Sequence, residues 1–216
     1  MAVPATRPLL RGVLHQAAFT AALVVGALVV AYADQNARTR AAAAIFAGSV
    51  AAMLGASALY HRITWSPTVR PWMRRVDHAG IYVLIAGSYT PVGLLALHGA
   101  VQRIVLGVVW TGTAAALVFK FVWVKAPKWL AAVIGISLGW VGVVALPQLV
   151  HTAGVSAVAL LAAGGVAYTA GAIVYALKRP DPAPRVFGYH ELFHAFTLVA
   201  VACQYVAIAF YVLKVG

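Results

Sequence analysis

Charge is the scarcest commodity in this sequence. Of 216 residues, 9% are Asp, Glu, Lys or Arg, and four of these are acidic. A water-exposed domain carries roughly 25% charged residues, so this chain has too few to cover a soluble surface. The shortage excludes a soluble enzyme, a disordered regulator and a nucleic-acid-binding domain. A lone Cys203 excludes an intramolecular disulfide framework and any multi-cysteine zinc motif. Also missing is the polar/apolar alternation of an outer-membrane barrel. Apolar residues dominate instead: 63% are hydrophobic and the mean hydropathy is +0.92. These are the proportions of an integral membrane protein.

A helix needs about 20 mostly apolar residues to cross a hydrocarbon core of roughly 30 Å. Seven such runs lie between charge clusters, at 12–33, 41–60, 78–97, 103–124, 129–150, 154–177 and 190–213. They use most of the chain, so residues 1–216 are expected to form one domain, an all-α bundle of seven transmembrane helices. The first run, with Arg7 and Arg11 before it and Ala31-Tyr32-Ala33 at its end, imitates a secretory signal. It is longer than the 7–15 apolar residues of a signal core, so it reads as a retained span. Pro91, Pro147 and Gly164-Gly165 are expected to mark kinks or close helix contacts.

Basic residues orient the bundle. With the N-terminus cytoplasmic, the inner segments hold Arg7, Arg11, Arg62, Arg70, Arg74, Arg75, Lys120, Lys125, Lys128, Lys178, Arg179 and Arg185. The outer segments hold Arg38, Arg40, Arg103 and Lys214. The positive-inside rule therefore predicts a cytoplasmic N-terminus and an external C-terminus, in the cell (inner or plasma) membrane. The net charge of +12 then orients the protein and meets anionic headgroups of the inner leaflet; membrane lipids, not nucleic acid, are the expected partners.

Ionisable residues inside a span are costly and point to function. Ser57 and His61 are spaced i,i+4 at the end of span 2, and His190 and His194 repeat that spacing at the start of span 7. Asp77 opens span 3. The predicted topology brings these five residues to one depth near the cytoplasmic surface. Singly, each has an ordinary reading: His61 as an interfacial residue beside Arg62, Ser57 as a packing serine, Asp77 as a helix cap or partner of Arg74 or Arg75. As a set they read as a metal site. Three neutral imidazoles plus a water form a standard open zinc arrangement, which acidifies the water while a nearby carboxylate holds or deprotonates it. His190-Glu191-Leu192-Phe193-His194 also fits the H-E-x-x-H signature of zinc proteases, but no further acidic ligand lies inside a span. Glu191 and His78 are supporting candidates. His98 and His151 read as interfacial at the outer ends, and His15 as structural, within reach of the site's periphery.

At these residues the sequence resembles the bacterial hemolysin III family, related to the progestin and adiponectin receptors and, distantly, to the alkaline ceramidases. The resemblance runs through Arg11-Gly12-Val13-Leu14-His15, Ser57-x-x-x-His61, Asp77-His78-Ala79-Gly80-Ile81, Gly87-Ser88-Tyr89-Thr90-Pro91 and the His190–His194 motif. It implies seven helices with the N-terminus inside, and Zn²⁺ held by His61, His190 and His194. It also implies that Asp77 contacts the zinc-bound water and that Ser57 orients the water or a substrate carbonyl, with Ser88 a further supporting residue. The leading expectation is a zinc-dependent hydrolase of a lipid amide or ester bond. The alternatives are a non-enzymatic sensor of membrane state with structural zinc, and a haemolytic pore.

Overall fold

The protein is described here by a computed structural model covering residues 8–33, 36–123 and 126–216. Arg7 and Lys125, which enter the charge reading, lie outside the described residues. The helices are α1 (Val13–Tyr32), α2 (Ala37–Arg62), α3 (Arg70–Pro91), α4 (Gly99–Val122), α5 (Lys128–Gly139), α6 (Leu146–Leu177) and α7 (Tyr189–Phe210). Among the described residues there is no β-strand beyond one isolated bridge, Ala183 to Phe187. This follows from the environment. In hydrocarbon each backbone N–H and C=O must be satisfied within its own segment, and a helix does so along its whole length.

Six helical stretches among the described residues are long and apolar enough to cross a membrane, where the sequence reading expects seven. The difference lies in one 50-residue stretch, Lys128–Leu177, which covers both the fifth and sixth expected runs. That stretch is not uniform. A short 3₁₀ segment, Val141–Ala145, follows α5, and Gly154 inside α6 has φ 85° and ψ 166°, a non-helical conformation that glycine adopts readily. Large apolar side chains face outward around the bundle, among them Leu23, Val118, Val155, Val166 and Val199. Polar ones such as Ser57, Thr113, His190, Glu191 and His194 are buried. With the surface apolar and the interior carrying the polar groups, the chain is a multi-pass membrane protein.

Several boundaries differ from the expected ones for local reasons. Helix α3 begins at Arg70, two turns before the expected span, because Pro71 in its first turn is preset for a helical start. At its other end Pro91 cannot supply a backbone N–H, and the chain widens into a π-turn at Val92–Ala96. Pro147 lies in the first turn of α6, where a missing N–H costs nothing. Lys120, assigned to an inner segment, lies in the last turn of α4 and is buried there.

The core centres on α2, with Phe46, Val50, Met53 and Leu54 packed against Leu84 of α3 and Val201 and Ile208 of α7. Helices α2 and α3 approach so closely that a Cβ on Gly87 would overlap the Ser49 side chain. Membrane helices associate through such close backbone approach, since burial from lipid supplies no hydrophobic drive. Gly87→Leu is therefore expected to destabilise the bundle by about 1–3 kcal/mol, lowering the melting temperature by roughly 2–10 °C. Gly107→Ala, at a glycine with no neighbour within 4 Å, is the control and should melt like the parent in detergent.

Candidate metal centre

Helix α7 opens with its first turn held from three directions. The Glu191 carboxylate accepts the Gly188 backbone N–H at 2.9 Å, and Asp181 accepts that of Tyr189 at 2.7 Å. Both anions sit where a helix start leaves its N–H groups without intrahelical partners. The other oxygen of Glu191 accepts from Arg11 Nε, at the head of α1. The adjoining backbone is laced to the α6–α7 loop: Leu9 and Leu10 donate to the carbonyls of Arg185 and Val186 at 3.0 and 3.1 Å. Gly12 follows with φ 79°, and a Cβ there would lie 2.5 Å from that of His61. The strap over the end of α2 thus needs glycine twice over, for conformation and for space.

Beneath this strap three imidazoles converge. His61 closes α2, while His190 and His194 stand one turn apart on α7. One ligand nitrogen from each lies within 4.8 Å of the others, and all three residues are buried. The Nε2 atoms of His61 and His190 are 3.1 Å apart. Two nitrogens bound tetrahedrally to one zinc at about 2.0–2.1 Å would be separated by about 3.3 Å, so this spacing suits a shared metal. Nδ1 of His194 is buried with no hydrogen-bond partner, a costly condition that a hydrogen bond or a metal would relieve. The three histidines can hold a metal ion.

The remaining candidates divide by position. Asp77 lies inside α3, seven residues past its start, so it is not the helix cap; its Oδ2 is 3.6 Å from His61 Nε2. Ser57 packs against that carboxylate and is bonded to His15 Nδ1 at 2.8 Å. His15 itself stacks flat on His194, with ring centroids 3.7 Å apart and planes 11° from parallel. A residue that reads from sequence as peripheral therefore touches a histidine of the group and the serine beside it. No helical spacing signalled this, because Arg11 precedes α1 and Gly12 between it and the helix is left-handed; the only local hint was the closeness of His15 to the Arg11-Gly12 turn.

Glu191 is fully buried, but its oxygens are engaged by Arg11 and the helix start. It supports the ligands without joining them. His78 turns its ring edge toward Tyr175, 6.4 Å away, and stays outside the three-histidine group. Ser88 donates to the Ile85 carbonyl three turns further along α3. His98 and His151 are exposed at the opposite end of the bundle.

A cavity of about 260 Å³ begins at this site and runs between the helices. His15, Ser57, Asp77, His190 and His194 line one end, and Leu97, Val105 and Leu149 the other. From Asp77 to Leu97 is twenty residues of mostly helical chain, roughly 30 Å at 1.5 Å per residue, or about one hydrocarbon thickness.

Fold and site together define a class: a multi-pass helical membrane protein with a buried trio of imidazoles at the end of an apolar cavity. Comparison with known proteins narrows it. Residues 4–205 match the family described as haemolysin-III related. The chain is 32% identical to the hemolysin-3 homolog of Bacillus subtilis (strain 168) over 171 residues, 79% of this chain and 77% of that protein. It is 32% identical to hemolysin-3 of Bacillus cereus over 157 residues, 73% and 68% of the two chains. The protein belongs to the haemolysin-III-related family, a placement that agrees with residence in the cell membrane.

The Arg11–Glu191 pair gives a test of how the site is held. Arg11→Met leaves a carboxylate buried without its cation, and should cost up to about 3 kcal/mol, less than a fully buried pair because Arg11 is partly exposed. The double variant Arg11→Met/Glu191→Met removes both charges and should recover part of that loss. Melting temperatures of the parent, Arg11→Met, Glu191→Met and the double variant check the cycle; additive losses would show that the two side chains act independently.

Proposed function

We propose that this protein is a zinc-dependent hydrolase of an amide or ester bond in a membrane lipid. The observation that carries the reading is the junction of three imidazoles, a buried carboxylate and a long apolar cavity at one end of the bundle. An apolar passage of membrane depth suits an acyl chain, and its end beside polar groups suits the bond that joins the chain to a headgroup.

The proposed arrangement is a single domain of seven spans with a cytoplasmic N-terminus. A straight 50-residue helix would be about 75 Å long, more than twice the hydrocarbon thickness, so Lys128–Leu177 is read as two spans. The non-helical Gly154 supplies the division. The described cations Arg11, Arg62, Arg70, Arg74, Arg75, Lys128 and Arg185 flank the histidine end, which supports placing that end toward the cytoplasm.

In this reading His61, His190 and His194 hold the ion as neutral donors, a ligand set suited to zinc among the first-row metals. When bound, zinc supplies a Lewis acid that polarises a carbonyl and acidifies water. Asp77 Oδ2 is assigned the proton of a water at the histidine group, given its 3.6 Å separation from His61 Nε2. Ser57 is the hydroxyl assigned to the substrate carbonyl, with His15 Nδ1 fixing its orientation. Arg11 and Glu191 keep the first turn of α7, and so His190 and His194, in register with His61.

A second reading, a sensor of membrane state with a structural metal, draws on one observation. The histidine group joins residues 129 positions apart, so an ion there would also tie the end of α2 to the start of α7. One variant separates the two. Asp77→Asn should keep its zinc, measured by elemental analysis, while turnover of the best substrate falls about 10²–10⁴-fold. His190→Ala should lose both. Purified protein with full zinc occupancy that cleaves none of a broad panel of ceramides, acyl-amides and acyl-esters would overturn the hydrolase reading.

A further inference from the structure

Lys120 is a cation in the wrong surroundings. It is 7% exposed on α4, inside an apolar bundle, and makes no hydrogen bond or ion pair with any described residue. The groups near it make matters worse. Arg74 is close enough to act on it electrostatically, and Arg74, Lys120 and Lys128 all act in the same way on His78. Arg75, beside Arg74, has its Nε buried without a partner. Arg74, Arg75, His78 and Lys120 line a small recess, and His78 and Lys120 also line the long cavity, so the recess adjoins its histidine end.

Some of these charges are met within the protein. Arg75 lies over the Trp72 ring at 4.2 Å, and Lys128 lies over Tyr175 and Tyr189 and donates to the Tyr189 hydroxyl. Arg74 is within electrostatic reach of Asp77. Lys120 has none of these. Among the described residues, no carboxylate comes within 4.0 Å of Lys120, Arg74 or Arg75. Burying an uncompensated charge is expensive, and in a membrane span such a residue pairs with something or marks a binding path.

We propose that Lys120, Arg74 and Arg75 form an oxyanion-binding subsite at the histidine end of the cavity, which takes the phosphate or carboxylate of an acyl lipid. Resting on the hydrolase reading, this gives the substrate a shape. The acyl chain occupies the apolar cavity, the scissile carbonyl lies at the histidines, and the leaving portion carries the negative charge toward Lys120. Neutral lipids of the same chain length fill the cavity but leave Lys120 without its counter-charge, so they bind less well.

The test reads binding, not turnover, on the full-length protein as purified in detergent. The probes are ether lipids with no bond to hydrolyse: 1-O-hexadecyl-glycerol 3-phosphate, the matching carboxylate, and neutral 1-O-hexadecyl-glycerol. At least one anionic probe should bind about tenfold or more tighter than the neutral one, the factor expected of one charge-assisted contact. The better of the two anions identifies the headgroup. Inorganic phosphate is the competitor; if it binds as tightly as the lipid, the site serves free phosphate and the lipid assignment fails.

Lys120→Met should bring the anionic-to-neutral ratio to within about twofold of unity, and Lys120→Arg should retain most of it, since the charge and not the length of the side chain is at issue. Should Lys120→Met not fold, Arg74→Gln is expected to lower the same ratio by about threefold or more. No preference in the parent protein, or a preference unchanged in the folded variants, overturns the subsite. The two readings fail separately. Anion preference without cleavage of the corresponding esters leaves the subsite standing and removes the hydrolase, whereas equal cleavage of anionic and neutral esters with no binding preference does the reverse.

Discussion

A charged group placed in hydrocarbon costs several kcal/mol unless something neutralises it, and this chain has four acidic residues with which to neutralise sixteen basic ones. That imbalance organises the molecule. Most cations lie at helix ends, where long side chains can reach water or headgroups. The carboxylates and imidazoles that remain buried inside are drawn to one end of the bundle, where several find partners: Arg11 with Glu191, His15 with Ser57, His61 with Asp77. The rest of the interior is left to close packing of small and apolar residues, as between Gly87 and Ser49. The same scarcity gives significance to any polar group left without a partner. His194 Nδ1 and His15 Nε2 are two such atoms, both at the histidine group.

The site depends on the strap formed by residues 8–12. Three bonds, from Leu9, Leu10 and Arg11, tie it to the loop before α7 and to Glu191 on its first turn. Gly12 then lets it lie against His61. The strap therefore touches both helices that contribute histidines, while α1, into which it leads, contributes His15 as a flat ring against His194. The first helix is the supporting wall of the site, although it supplies none of the three converging imidazoles. A carboxylate that reads in sequence as part of a protease signature, Glu191, has become the anchor of this arrangement. A buried carboxylate engaged by an arginine and a helix start is poorly suited to act as a free base.

Much of the architecture was legible because hydrocarbon imposes simple rules. Continuous apolar runs of membrane length mark helices whatever their detailed packing, and the starts and ends of α1, α2, α4 and α7 fall within a few residues of the runs. Where a backbone device intervenes, the runs mislead. Pro71 starts α3 early, and Gly154 interrupts a stretch that remains apolar throughout. The burial of Lys120 was not legible for a related reason: a lysine in the last turn of an apolar run looks free to reach water, and burial can be judged only against the neighbouring helices.

The sequence by itself determined that this is a helical membrane protein, and it picked out Ser57, His61, Asp77, His190 and His194, because i,i+4 pairs within one helix are local and polar residues inside apolar runs are conspicuous. Tertiary structure alone decided which of those residues meet. The 3.1 Å approach of His61 to His190 spans 129 positions, and the Arg11–Glu191 pair spans 180. Such distances depend on the rotation and depth of packed helices, which no local pattern encodes. The roles of His15 and Lys120 were settled the same way. One gained partners through packing, the other was packed among cations, and both outcomes follow from how the described helices share one small interior.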